Sequence, residues 1–208
     1  MSIFTLTAQQ NPLQGNKKYT INSLTVSGEQ SFNEKTVIAI LELFEQERHL
    51  TEQGTWHDFW LALACDVKGI QIFSHFYRNH SSTLKGSWAI LNNAIQLFKK
   101  HKLDEVILFG DDIELNNKIL QGKELAPSLN IQGEIHSLPS LKILAKQYED
   151  TLYVITVNSS DENIIYQLKD IPPLVIESEN ILTGIVCEIQ HQLLIDTLAP
   201  LGVSIFKF

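Results

Sequence analysis

Residues 86–114, GSWAILNNAIQLFKKHKLDEVILFGDDIE, decide how this chain is read. Trp88, Leu91, Ile95 and Phe98 recur at helical spacing, and Ala89, Ile90, Ala94 and Leu97 widen that apolar stripe. Asn92, Asn93, Gln96 and Lys99 leave only a narrow polar face, which predicts a helix held between two layers. Lys99, Lys100, His101 and Lys102 fall in its last turn, where cations offset the negative end of the helix dipole. Val106-Ile107-Leu108-Phe109 then shows no alternation, the pattern of a strand covered on both faces in a parallel sheet. Gly110, Asp111, Asp112 and Glu114 end it.

Outward from that segment, helical and strand patterns keep alternating. On its N-terminal side, Trp56, Phe59, Trp60, Leu63 and Ala64 form the face of a helix over 55–65, followed by a strand at 70–77 and a polar loop at 78–85. Strands are read at 3–8 and 19–26. Ser31-Phe32-Asn33-Glu34 has the spacing of a capping box, opening a helix that runs to His49. On the C-terminal side, helices are read at 113–120, 140–148, 161–168 and 181–198. Strands are read at 131–138, 151–157, 174–176 and 203–208. This alternation predicts one α/β domain over residues 1–208, a layered α-β-α arrangement with a mostly parallel sheet. The loop at 122–130 is the candidate seam within it.

Composition narrows the function classes. A net charge of -8 argues against nucleic acid as a partner, because phosphate neutralisation needs a basic face. Cys65 and Cys187 lack CxxC spacing and read as two buried free thiols of a reducing compartment. Residues 1–16 carry neither a basic region nor a long apolar run, so no signal peptide is expected. No segment reaches the roughly 20 apolar residues that span a bilayer. The expectation is a cytoplasmic protein without a membrane partner. Walker A, GxGxxG, GxSxG and HExxH patterns are absent, and no cofactor or metal is expected.

Residues 86–98, followed by Asp104-Glu105-Val106-Ile107-Leu108-Phe109-Gly110-Asp111-Asp112-Ile113-Glu114, resemble the thiolase-like fold, β-ketoacyl synthases in particular. The resemblance covers about residues 55–115. In that family a buried helix carries the nucleophilic cysteine at its N-terminus, and the matching window here, residues 85–88, holds Ser87 and no cysteine. The resemblance therefore implies a reduced, chain-length-factor-like protein, not catalytic on its own. Such a subunit would form a heterodimer with an active β-ketoacyl synthase in fatty-acid or polyketide assembly, with acyl carrier protein an indirect partner. The alternative is an acidic cytoplasmic binding or immunity-type protein without catalysis, whose charge suits steering of a basic partner.

Candidate site residues follow. His75 and His80 flank the turn before the buried helix and, with Ser87 and Trp88, are candidates for a pocket or interface; a hydrogen-bonded core histidine is the bland reading of His75. Trp56 and Trp60, beside His57 and Asp58, read either as an interface or as a core pair. Asp111 and Asp112 are candidate ligand-binding acids, with helix capping as the ordinary alternative. Glu134 and His136 share one strand face without a third partner. Residues 159–162 read as a loop and helix cap.

Overall fold

The computed structural model describes residues 38–42, 51–73, 82–126, 129–131, 134–136, 138–173 and 175–208. The first part is helical, with one parallel strand pair: β1 (Ile38–Glu42), α1 (Glu52–Ala64), β2 (Gly69–Phe73), α2 (Ser82–Lys100) and α3 (Leu103–Phe109). The rest is strand: β3 (Asp111–Asp112), β4 (Asn116–Gln121), β5 (Leu129–Ile131), β6 (Glu134–His136), β7 (Leu141–Tyr148), β8 (Thr151–Asn158), β9 (Ile164–Lys169), β10 (Glu177–Asn180), β11 (Ile185–Glu188), β12 (Leu194–Leu198) and β13 (Val203–Lys207). β1 and β2 pair in parallel. A six-stranded sheet of order β11-β10-β13-β8-β7-β3 and a three-stranded sheet of order β12-β9-β4 are antiparallel throughout. β5 and β6 form a separate antiparallel pair.

The six-stranded sheet is the middle of three layers, and its register shows why. Leu144, Ile155 and Ile205 stand in one cross-strand row, and Ala145, Val154 and Phe206 in the next. The first row packs against Phe59, Trp60 and Leu63 of α1, Leu91 and Ala94 of α2, and Leu103, Val106 and Ile107 of α3. The second packs against Ile164, Tyr166 and Leu168 of β9, Leu194 and Leu198 of β12, and Leu115. Successive residues of a strand face opposite ways, so β7, β8 and β13 are apolar on both sides because both sides are covered. Each fully buried large apolar side chain contributes about 1.5–3 kcal/mol relative to exposure.

The expected layered α-β-α fold with a mostly parallel sheet is therefore overturned, because every strand pair except β1–β2 is antiparallel among the described residues. Residues 106–109 belong to α3 rather than to a buried strand. Leu103, Val106 and Ile107 sit at i, i+3 and i+4 facing the core, while Leu108 and Phe109 are exposed. Nor does α2 lie between two layers, since Ser87, Leu91 and Ala94 are buried but Trp88 is 42% exposed.

The segment 140–148 shows how the period misleads. Leu141, Leu144, Ala145 and Tyr148 have i, i+3, i+4, i+7 spacing, yet Leu141 and Ala145 face one layer of a strand, and Leu144 and Tyr148 the other. Residues 113–120 and 161–168 likewise hold β4 and β9 in place of helices. The long helix expected at 181–198 is broken by Gly184 at φ +70 and by His191 and Gln192 at φ +54 and +60. Leu193 N–H closes that second turn on Gln190 O at 3.0 Å. β1 lies within the helix expected up to His49, and no strand forms at 175–176. The readings at 3–8 and 19–26 fall outside the described residues. The strands read at 151–157 and 203–208 and the helix at 55–65 coincide with β8, β13 and α1.

Candidate functional site

The polar chemistry of the described residues gathers where α1 meets the six-stranded sheet. α1 opens on Thr51, whose hydroxyl accepts from Gly54 N–H at 2.9 Å, while Thr55 Oγ1 donates back to Thr51 O at 3.0 Å. This fixed first turn carries two residues that reach the sheet. Gln53 Nε2 donates to Pro200 O at 2.7 Å, before β13. His57, only 4% exposed, lies between two polar partners. Its Nδ1 is 3.1 Å from Asp58 Oδ1, and its Nε2 is 3.1 Å from Ser159 Oγ, after β8. A carboxylate oxygen only accepts, so Nδ1 carries a proton, and in the neutral imidazole Nε2 accepts from the serine hydroxyl.

Serine to imidazole to carboxylate is the connectivity of a nucleophilic relay, and the amides beside the serine are one source of the further donors such a relay uses. Acyl transfer needs free N–H groups beside the nucleophile to hold the developing oxyanion. Ser159 N–H is already donated to Ser140 O at 2.7 Å, and Ser160 N–H to Asn158 Oδ1 at 2.9 Å. The same turn is locked by Asn158 Nδ2, which donates to Glu162 O, Leu198 O and Ala199 O at 2.8, 3.3 and 2.9 Å. The three side chains thus make a latch between α1 and the turn after β8.

A second junction lies at the other end of α1. Asp66, at φ +57 just beyond the helix, faces two ammonium groups, Lys68 Nζ at 2.7 Å and Lys146 Nζ at 3.1 Å. Lys146 rises from β7 with its side chain only 3% exposed and also meets Asp112 Oδ1 at 2.5 Å. Lys68 donates in addition to Ile107 O at 2.8 Å, closing the end of α3. Burial pulls the Lys146 pKa down and the bonds to Asp112 and Asp66 push it up; the net is a raised value. A buried Tyr166 hydroxyl ties the two sheets, 2.7 Å from Thr156 Oγ1 and donating to Asp196 Oδ2 at 3.0 Å.

The residues singled out in the sequence scatter around these junctions. His75 and His80 fall outside the described residues. Ser87 is buried in α2 with its hydroxyl unpartnered among the described residues, and Trp88 is on the surface. Trp56 and Trp60 meet edge to face at 5.6 Å, with Trp60 wholly buried against Phe59 and Phe98. Asp111 is exposed on β3, whereas Asp112 is the partner of Lys146. Among the described residues, no group of three His, Cys, Asp or Glu side chains could hold a metal ion, and no helix is long and apolar enough to cross a membrane. Lys146 and Asp66 carry no signal in the sequence, and Ser159, expected in a loop and helix cap, lies in a turn ahead of β9 and not of a helix. The His57–Ser159 bond spans 102 positions, and no spacing rule reaches that far.

No family model matches the chain, and no curated protein matches it by sequence. Solved structures with a similar fold are glycoside hydrolases, which overturns the thiolase-like resemblance and the silent ketosynthase-subunit and polyketide readings built on it. One is AmyP E221Q in complex with maltotriose, at TM-score 0.51 and 10% identity over 79% of this chain and 36% of that one. Others are the alpha-amylase of Geobacillus thermoleovorans complexed with acarbose (TM-score 0.48, 13% identity, 74% of this chain and 33% of that one) and the maltogenic alpha-amylase AmyB of Thermotoga neapolitana (0.48, 10%, 85% and 42%). The chain spans well under half the length of each of these. At 10% identity the likeness to AmyP is one of fold, and the share of this chain that it covers is too large to come from either the helical or the sheet part alone.

Proposed function

We propose that this chain is a glycan-handling module that holds its helical layer in a fixed position on an antiparallel sheet platform and does not itself turn substrate over. The observation that supports this is the joint match of helical and sheet parts to AmyP, a protein whose structure holds maltotriose. The two α1 junctions agree with a holding role, since they commit His57 and Ser159 to each other and Lys146 to Asp66 and Asp112. Trp88, with Phe109 one of two large aromatics exposed among the described residues of the helical layer, has a flat apolar face of the kind that covers a sugar ring and, unlike Phe109, an N–H for a hydroxyl.

Maltotriose titrated against the chain, followed by isothermal calorimetry and tryptophan fluorescence, tests this. A saturable response that Trp88→Ala abolishes while thermal stability is kept is the expected result. Reducing-sugar release is expected to stay at the blank level for the unaltered chain. No response to maltotriose, or a response indifferent to Trp88→Ala, overturns the glycan reading; release above blank overturns the holding role.

A further inference from the structure

Among the described residues, the six-stranded sheet ends differently at its two edges. β3 is two aspartates long, one of them tied to Lys146, and a short charged edge resists strand addition. β11 is Ile185-Val186-Cys187-Glu188, and its Ile185 and Val186 are 59% and 58% exposed, beside an exposed Ile176. The ladder shows which backbone groups face outward. Ile189 N–H donates to Ile176 O at 2.8 Å, so that pair is hydrogen-bonded. Bonded and non-bonded pairs alternate, so Ser178–Cys187 is bonded and the pairs Glu177–Glu188 and Glu179–Val186 are not. Val186 and Glu188 therefore turn both N–H and C=O away from β10. One face of the edge carries Glu177, Glu179, Val186 and Glu188; the other carries Ile185 and Cys187.

We infer that β11 is a docking edge for an extended segment of a partner protein in which basic and apolar residues alternate. Such a strand bonds to the outward groups of Val186 and Glu188, sets its basic side chains beside the glutamates and lays its apolar ones along Ile185 and Cys187. A second copy of this chain is the poorer occupant. It would bring two such acidic edges together, on molecules that each carry a net charge of -8.

The probe is acetyl-Lys-Val-Lys-Val-Lys-Val-amide, with the Glu-for-Lys peptide as control, read by residue-resolved amide hydrogen exchange. The expected result is that the basic peptide slows exchange at Val186 and Glu188 by about tenfold and the acidic one does not. Val186→Pro deletes an outward donor without removing a bond to β10, and is expected to lose the response while staying folded. Should that variant unfold, Glu188→Lys serves instead and is expected to weaken the basic peptide's effect. Equal protection by both peptides, no protection by either, or protection that survives both variants overturns the inference. So does protection that appears without peptide as concentration rises, accompanied by a doubled mass in light scattering, which would assign the edge to a second copy.

Discussion

Lys146 reports how the helical and sheet layers are joined, because its partners differ in exposure. Replacing it with Met removes the buried ammonium and keeps the apolar stem, leaving Asp66 with Lys68 and Asp112 with solvent. The charge no longer has to be taken out of water, so the expected change is within about 1 kcal/mol of zero. The acids behave otherwise. The Asp112 carboxylate is 74% exposed and screened, so Asp112→Asn is expected to cost less than about 1 kcal/mol. Asp66 serves two ammonium groups, and Asp66→Asn is expected to cost about 1–3 kcal/mol, asparagine keeping the left-handed φ of +57. Together the two substitutions leave a buried ammonium uncompensated. That is expected to cost about 3–5 kcal/mol and to lower Tm by roughly 6–20 °C for a chain of this size. Urea unfolding followed by tryptophan fluorescence, with calorimetry alongside, measures all four variants. The reasoning is refuted if Lys146→Met destabilises as much as the double acid variant, or if the double variant costs no more than the sum of the singles.

Burial, and then the Asp196 charge, hold the Tyr166 hydroxyl well above its ordinary pKa of 10.0. The unfolded chain releases that proton near pH 10 and the folded one keeps it, so stability falls as pH rises beyond 10. Tyr166→Phe is expected to lessen that slope by up to about 1.4 kcal/mol per pH unit, with a loss of about 1–3 kcal/mol at neutral pH, both read from urea midpoints. A Cβ on Gly110 would come within 2.5 Å of Val106 O and 3.2 Å of Gln147 O, both backbone atoms. Gly110→Ala is therefore expected to lower Tm by several degrees, or about 1–3 kcal/mol; an unchanged Tm would contradict the close approach of α3 to β7. A double-mutant cycle of His57→Ala and Ser159→Ala is expected to give a coupling of about 0.5–1.5 kcal/mol, and additive losses would remove the latch.

Only part of the site could be read in advance. His57 and Asp58 stood out as polar residues among tryptophans, and Asp111 and Asp112 as acids after an apolar run. What they do depends on Ser159 and Lys146, which arrive from a turn and a strand far along the chain. A lysine in the pattern Leu144-Ala145-Lys146-Gln147 looks like a solvent-facing residue. It is buried because the face it shares with Leu144 and Tyr148 is roofed by helices.

The sequence by itself determined the local elements whose signal needs no partner. The helices α1 and α2 and the continuously apolar β8 follow from period and β-branching, although α1 opens on Thr51 and not at residue 55. Only the tertiary structure decided what residues 103–109, 140–148, 161–168 and 181–198 became. A spacing of four residues returns to the same face in a helix and in a strand alike, so Ile164 and Leu168 fit both. A spacing of three normally favours a helix, but Leu141 and Leu144 fit a strand once helices cover one face and a second sheet the other. Pairing with distant strands resolves that ambiguity, and the same pairing brings α1, β3 and β7 close enough for their charges to meet.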